Sequence, residues 1–596
     1  MGVQPVTQRR TAVIPWLFFF CLLGFAGKVG NLQLAGEEAH WTRDTLKPRR
    51  LREEVVPARR GTLYARNGTP VVVTVDRKAV TANPQVGRDS AAVAHELAGL
   101  LGEPELLLRA RLAKRRQADG SPNFYVKLCG KVPLSAEERL LPRTHRYPLQ
   151  NDECAQFPGV YLSTWHERRY PLGSFASQLL GRIQDDGVPT GGIERFYQDR
   201  LAGRDAQRTY EVDANGHAVP NGYAREVAAK QGQSLVLTLD ENLQTAAETA
   251  LAQCLEQFSP EFACALVLHP PTGQVLAWAC APSFDPNHVR PEDIASMNNR
   301  PVTYVFEPGS TLKPVVAGII AENTTDWQSK RYDCTGVMQL GNRQKHCWIL
   351  SEKGHGHGPQ GLSDGICNSC NIAMMQFGLR LDARVLYAGF AQFGLTKPTG
   401  CDVPYERSGM LAPYDTWSLQ RHADVSYGQG IAITPLQLAT AISAIANGGK
   451  LMRPYVVSEA IDESGRRHPI GRPCVVRQAL SKTTASQVTD MMVRVIDEGT
   501  GKSVALPNVR VAGKTGSAQK AVNGHYPAGH YICTFTGFAP AEAPRACVLV
   551  MVVEPKGAHW GSEVCGSTFK AIMQEALLHT EIRPVLTAGR PRGPRI

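Results

Sequence analysis

The sequence predicts a mixed α+β chain of two domains behind one apolar N-terminal segment. Three observations carry that reading: the length, a change of pattern near Gln231-Gly232, and the uncharged run from Thr11 to Gly27. At 596 residues the chain exceeds what one hydrophobic core ordinarily serves, so two or more domains are expected.

The run TAVIPWLFFFCLLGFAG follows Arg9 and Arg10 and continues past Lys28 into the amphipathic stretch Val29 to Leu34. Its length is close to that of a bilayer-spanning helix, which predicts a cytoplasmic tail over 1–10 and a transmembrane anchor over 11–34. A cleaved signal peptide is the rival reading, because Gly24 and Ala26 are small residues at cleavage spacing. Arg43, Lys47, Arg49, Arg50 and Arg52 lie just beyond the segment, so the positive-inside count leaves the orientation open.

Residues 35–232 are charged, with short strands, the turn dipeptide Asn67-Gly68 and helix-like patches such as Ala91 to Arg115. They read as an elongated α+β pedestal with little chemistry in it. Beyond it SLVLTLD is a strand and Glu241 to Glu256 an amphipathic helix. ACALVLHP and QVLAWACAP are strands joined by the turn Pro271-Thr272-Gly273, and RACVLVMVVEP is a further apolar strand. A compact domain is therefore expected over 233–580, with strands at both ends and helices between. The last residues, 581–596, form a short basic tail ending in GRPRGPRI, too polar to bury a core.

The 65 basic and 54 acidic residues leave a formal charge of +11, but the two signs are interspersed along the chain. That describes a solvated, mildly basic surface, and with no RNA or DNA motif present no nucleic-acid partner is expected. Fifteen cysteines is a high and odd count. Cys21 lies in the apolar N-terminal run, while Cys264 in FACALVL and Cys547 in ACVLVMVV read as small buried hydrophobes.

Chemistry concentrates in three short elements. Glu307-Pro308-Gly309-Ser310-Thr311-Leu312-Lys313 sets a turn before the apolar run PVVAGIIAE, so Ser310 falls at a helix start with Lys313 on the same face. A serine hydroxyl needs a base to become a nucleophile, and a lysine amine at this spacing serves once burial or a second cation lowers its pKa. Ser369-Cys370-Asn371 opens the helical stretch IAMMQFGLRL. Lys514-Thr515-Gly516-Ser517 follows the expected strand NVRVAG, with Gly516 open to a substrate backbone. A serine-x-x-lysine is weak evidence alone, but the ordered set SxxK, SxN, KTG is specific to acyl-serine enzymes that bind penicillin.

Two other patterns are decoys. Gly499-Thr500-Gly501-Lys502-Ser503 resembles the end of a P-loop, yet Ile496 stands where the first glycine is required. Cys367-Asn368-Ser369-Cys370 has redox spacing, but its middle contains the SxN serine. Cys334, Cys347, His355 of the Gly354-His355-Gly356-His357 segment, and Cys370 form a Cys₃His set that suits structural zinc. A Cys334–Cys347 disulfide and unlinked thiols are the alternatives, and the spacing leaves all three open.

Over nearly its whole length the chain resembles the class B penicillin-binding proteins. Beyond the three catalytic elements, the resemblance rests on RRGTLYARNG (Arg59 to Gly68), RRYPLGSFASQLLGRI, GGIERFYQDRLAG, Gly400 to Met410, SYGQGIAITPLQLATAISAIANGG (Ser426 to Gly449) and TFTGFAP (Thr534 to Pro540). Ala65 departs from the usual aspartate of the pedestal, and WGSEVCGSTFK lacks the usual small-residue and proline run. The resemblance implies a penicillin-binding transpeptidase fold, with a mainly antiparallel sheet between helices, behind a pedestal or dimerisation domain and one transmembrane helix. It also implies a serine D,D-transpeptidase of peptidoglycan stem peptides, inhibited covalently by β-lactams and serving cell division, cell shape or sporulation.

Carried over by motif, Ser310 is the acylated nucleophile and Lys313 its base. Ser369 and Lys514 relay a proton to the leaving amine, Asn371 holds the substrate amide, and Thr515 and Ser517 bind the terminal carboxylate beside Gly516. The backbone N–H groups of Ser310 and Ser517 would form the oxyanion hole. No cofactor is needed for that catalysis. The catalytic domain is expected outside the bacterial cytoplasmic membrane, with polymerisation left to a polytopic membrane glycosyltransferase as partner. A D,D-carboxypeptidase or β-lactamase, and a non-catalytic β-lactam sensor or divisome scaffold, are the competing functions.

Overall fold

The computed structural model describes residues 13–34, 51–84, 90–113, 116, 123, 126–130, 132, 136, 139–140, 145–146, 157, 159–184, 187–211, 219, 222–521, 525–527 and 529–579. The tails expected over 1–10 and 581–596 lie outside them, as do Arg9, Arg10, Arg43, Lys47, Arg49 and Arg50. A helix covers Val13–Leu34 and exposes Trp16, Phe18, Phe20 and Phe25. Among the described residues no helix is long and apolar enough to cross a membrane.

The chain divides into two units interleaved in sequence: 1–58, 76–167 and 204–231 form the smaller, and 59–75, 168–203 and 232–596 the larger. In the smaller unit, strands Leu51–Val56, Ala206–Glu211 and Ala224–Val227 pair antiparallel in that order. The helix-like patch after Ser90 forms two helices, Ser90–Leu101 and Glu105–Leu112, broken where Gly102 takes φ +70° and Pro104 follows. Their apolar faces, among them Leu97, Leu101, Leu108 and Leu112, share a core with Val80, Leu128 and Leu162.

The larger unit is built on a five-stranded antiparallel sheet in the order Val275–Ala281, Phe262–Leu268, Ala546–Val553, Tyr531–Ala539, Ala512–Gln519. The strands Phe262–Leu268 and Ala546–Val553 are apolar at every position because both faces are covered, and the period of two sorts their side chains into two cores. Ala263, Ala265 and Val267 meet Val548, Val550, Phe569, Ile572 and Met573 on one face. Cys264, Leu266 and Leu268 meet Leu549, Met551, Val315, Ile442 and Ile445 on the other. The buried cysteines Cys264 and Cys547 thus pack as hydrophobes. The helix Gly566–His579 forms without the expected proline run.

The edge strand begins at Ala512, so Lys514 to Ser517 lie inside it rather than after a strand over NVRVAG. Residues 506–509 instead make a tight bridge in which Asn508 takes φ +61°. That turn resets the chain before the strand can start.

Three of the segments that carry the resemblance, those beginning at Arg59, Arg168 and Gly191, meet at one buried ion cluster. Glu194, fully buried, accepts from Arg60 Nε at 2.6 Å and from Arg168 Nε at 2.7 Å. Removing one partner from such a cluster leaves buried charge uncompensated, so Glu194→Ala should cost about 3–5 kcal/mol. Chemical denaturation of the variant checks this; a shift below 1 kcal/mol, on the order of an exposed pair, would contradict it.

Candidate active site

Ser310 sits in a 3₁₀ turn, Gly309–Leu312, that runs directly into the helix Lys313–Asn323. The turn is pinned from outside. Gly309, at φ +52°, donates its N–H to Gly428 O at 2.9 Å, and a Cβ on Gly428 would lie 1.9 Å from Gly309 O. No side chain fits at Gly428, which accounts for the glycine in SYGQG. Glu307 Oε1 accepts from Gly430 N at 2.8 Å and locks the same contact. Ser310 is left half-buried while Lys313 is fully buried.

Lys313 Nζ donates to Ser369 O at 2.6 Å and to Asn371 Oδ1 at 2.7 Å, with Ser369 Oγ at 3.3 Å. Burial lowers its pKa to about 8. A neutral amine has two N–H donors and one lone pair, so the two short contacts use both donors and leave the lone pair to accept a proton. Lys514 Nζ, also fully buried, donates to Ser369 Oγ at 3.0 Å and to Thr515 O at 3.0 Å. Burial, and then the charge of Lys313, hold its pKa well below the usual lysine range. The Ser369 hydroxyl therefore bridges two amines. It is placed there by a backbone φ of +53°, a left-handed conformation that costs a non-glycine residue about 1–2 kcal/mol.

Ser369 precedes the helix Asn371–Gly378, whose N-cap is Cys370. The edge strand closes the opposite side. Thr515 Oγ1 lies 3.0 Å from Thr500 Oγ1, and Ser517 Oγ accepts from Gly561 N at 2.8 Å. At Gly516 a Cβ would meet Thr534 Oγ1 at 2.5 Å and Thr311 Cγ2 at 2.9 Å, so only glycine lets the strand press onto the nucleophile turn. Ser310, Ser369, Asn371, Thr515 and Ser517 line one cavity of about 230 Å³, with both lysines beneath Ser369.

Behind the SxN turn, Cys334, Cys347, His357 and Cys370 bring their ligand atoms within 4.8 Å of one another. The histidine is His357, not His355. His357 Nδ1 lies 3.6 Å from Cys334 Sγ and 3.5 Å from Cys347 Sγ, whereas His355 is exposed and its Nδ1 faces Gly356 O at 2.7 Å. The strand Gly358–Gln360 pairs with Tyr332–Cys334, and this pairing brings His357 to the sulfurs while its neighbour two residues back faces outward. Cys334 and Cys347 are both free, so no disulfide joins them. The contacts with Cys370 lower the pKa of Cys334 and Cys347, and the same contacts raise that of Cys370. Burial opposes charge on His357, but its contacts with Cys347 and Cys334 raise its pKa on balance.

Sequence reasoning missed several residues of the cavity: Thr500, Trp348, Trp560 and Ser562. Thr500 belongs to the turn that resembled a phosphate loop. There Gly499 packs on Cys367, where a Cβ would meet Cys367 O at 2.4 Å, and the turn ties the SxN segment to the edge strand. Its place just before KTG was the one available signal.

Family models match two stretches of the chain: the penicillin binding protein transpeptidase domain over residues 263–574, and the penicillin-binding protein dimerisation domain over 55–237. Stage V sporulation protein D of Bacillus subtilis is 29% identical over 534 residues, covering 88% of this chain and 79% of its own. The probable peptidoglycan D,D-transpeptidase PbpC of Pseudomonas aeruginosa is 29% identical over 587 residues, 97% of each chain. Among solved structures, penicillin binding protein 3 of Mycobacterium tuberculosis complexed with aztreonam superposes with a TM-score of 0.65 at 24% identity, covering 88% of this chain and 97% of that one.

Proposed function

Because the chain belongs to the class B penicillin-binding proteins, we propose that it acts as a serine D,D-transpeptidase whose acyl-enzyme forms on Ser310. The chain is a peptidoglycan transpeptidase that binds β-lactams, with a role in division or sporulation. The observation that carries the assignment of roles is the Ser369 hydroxyl bridging two buried, deprotonation-prone lysines beside Ser310.

In acylation Lys313 takes the Ser310 proton as Oγ attacks the carbonyl carbon of the penultimate D-alanine. The C–N bond then breaks, and Lys514 and Ser369 deliver a proton to the departing D-alanine amine. Asn371 orients the donor amide, and Thr515 with Ser517 receives its carboxylate. The Ser310 and Ser517 N–H groups stabilise the oxyanion, each worth about 3 kcal/mol in comparable sites. An amine of a second stem attacks the ester and restores the Ser310 hydroxyl. Incubation with a pentapeptide donor and an amino-bearing acceptor should release D-alanine and form a cross-linked dimer seen by mass spectrometry. Release without dimer would replace transpeptidation by carboxypeptidase activity.

The donor set behind the SxN turn fits zinc: three sulfurs and one imidazole nitrogen within 4.8 Å, two of the thiols already biased toward thiolate. Cys334, Cys347, His357 and Cys370 would hold it. A bound zinc ion would supply a structural brace and take no part in the reaction. Purified protein should carry one zinc per chain, lose it in Cys334→Ser, and melt at a lower temperature without it. Metal-free protein with all three thiols open to alkylation would remove the assignment.

The exposed aromatic side chains of the Val13–Leu34 helix support a single-pass anchor with the catalytic unit outside the cytoplasmic membrane. A polytopic glycosyltransferase as partner follows from the need for glycan strands to cross-link.

A further inference from the structure

A second cavity, of about 700 Å³, opens at the far end of two helices that lead to the acyl cavity. The helix Lys313–Asn323 starts beneath Ser369. About 13 Å along it Glu322 Oε2 accepts from Ser481 N at 3.1 Å and from Ser481 Oγ at 3.0 Å, and Ser481 lines the second cavity. The helix Lys482–Asp497 starts at that cavity and runs about 22 Å to the turn that carries Thr500. The two cavities share no lining residue.

The charge around this second cavity has one sign. Lys450, Lys482 and Arg545 are exposed at its wall, and no carboxylate lines it. Among the described residues none of the three is paired with an acid, whereas Arg331 is matched by Asp364 and Arg466 by Asp462. The nearest acid in sequence to Arg545 is Glu542, which turns instead to Arg510 at 2.7 Å. Glu322, the one acid that touches a lining residue, is already taken up by Ser481. His269 adds no charge, because burial and then Arg66 bring its pKa down to about 4. Three uncompensated cations around one concavity hold its potential positive and draw anions into it. The volume falls in the range of sites that hold a small ligand, about 300–1,000 Å³.

We propose that this cavity is a second, non-catalytic site for a carboxylate-bearing peptide: the stem of a neighbouring repeat on the glycan strand whose donor stem lies in the acyl cavity. The inference rests on the transpeptidase reading of the acyl cavity. A peptide of five residues spans about 17 Å when extended, comparable with the helical runs between the cavities. Holding one stem here raises the effective concentration of the next at Ser310.

The test measures the anisotropy of a fluorescently labelled muramyl tripeptide, which carries free carboxylates but no D-alanyl-D-alanine, on the full chain before and after penicillin has acylated Ser310. Binding should agree within two-fold in the two states. The triple variant Lys450→Glu, Lys482→Glu, Arg545→Glu should weaken it at least ten-fold and leave penicillin acylation unchanged within two-fold. The same tripeptide with its carboxylates amidated should lose affinity for the unsubstituted chain to a similar extent. No binding of the tripeptide, or binding indifferent to both the triple variant and amidation, would overturn the proposal. Capture of anionic phospholipid vesicles through the same three residues, with no capture of the tripeptide, would overturn it in favour of a membrane contact. Failure of penicillin to label the unsubstituted chain would instead sink the transpeptidase reading, whatever the tripeptide does.

Discussion

Ser310→Ala should abolish covalent labelling by penicillin altogether. Intact-mass measurement of the unsubstituted chain after exposure to a β-lactam is expected to show one adduct, mapped to the peptide containing Ser310, and the variant none. The expected size of the effect follows from the chemistry. No other hydroxyl in the cavity has both a lysine three residues along its own helix and a place beside the oxyanion donors. Ser369 is the nearest alternative, but its Oγ is already engaged by Lys514 at 3.0 Å and Lys313 at 3.3 Å. Ser310 is half-buried and its removal opens no core cavity, so the folded chain should keep its melting temperature to within the effect of a surface substitution, about 0.5 kcal/mol. A labelled, well-folded Ser310→Ala protein would contradict the assignment of the nucleophile.

Lys313→Ala should lower the acylation rate by about 10²–10⁴-fold, the range for loss of a positioned general base. The intact chain should also show a pH dependence whose sign the site fixes. Burial depresses the Lys313 pKa to about 8, and the proton-accepting form is the neutral one. Acylation at limiting β-lactam concentration should therefore climb with pH, about ten-fold per unit below 8, and level off above it. The linked effect on stability has the same direction. The unfolded chain binds the lysine proton more tightly, so the penalty for a buried ammonium is full below about pH 8 and is relieved as pH rises toward 10.5. A rate that stays flat from pH 6 to 9, measured with a fluorescent penicillin, would show that Lys313 is not the base.

Much of this was readable from residue order. SxxK, SxN and KTG are short, and their residue types are what an acyl-serine reaction demands, so Ser310, Lys313, Ser369, Asn371 and Lys514 could be named before any coordinates. The strands Phe262–Leu268 and Ala546–Val553 were equally plain, because both are covered on both faces and carry no polar position to disguise them. The ion cluster of Arg60, Arg168 and Glu194 was visible only as three separate segments that resemble the family, with nothing in their spacing to join them.

By itself the sequence determined the chemical inventory: the nucleophile, its base, the relay lysine, and three sulfurs with a histidine in one segment. Tertiary structure decided the pairings. It chose His357 over His355, because the strand after Gly354 turns only one of the two imidazoles toward the sulfurs. It brought Thr500, Trp348 and Trp560 into the cavity from segments with no catalytic signature. It also twisted Ser369 to a positive φ so that one hydroxyl meets two amines. Residue type reports what a side chain can do. Which partner it meets depends on contacts distant in the chain, and no local pattern encodes those.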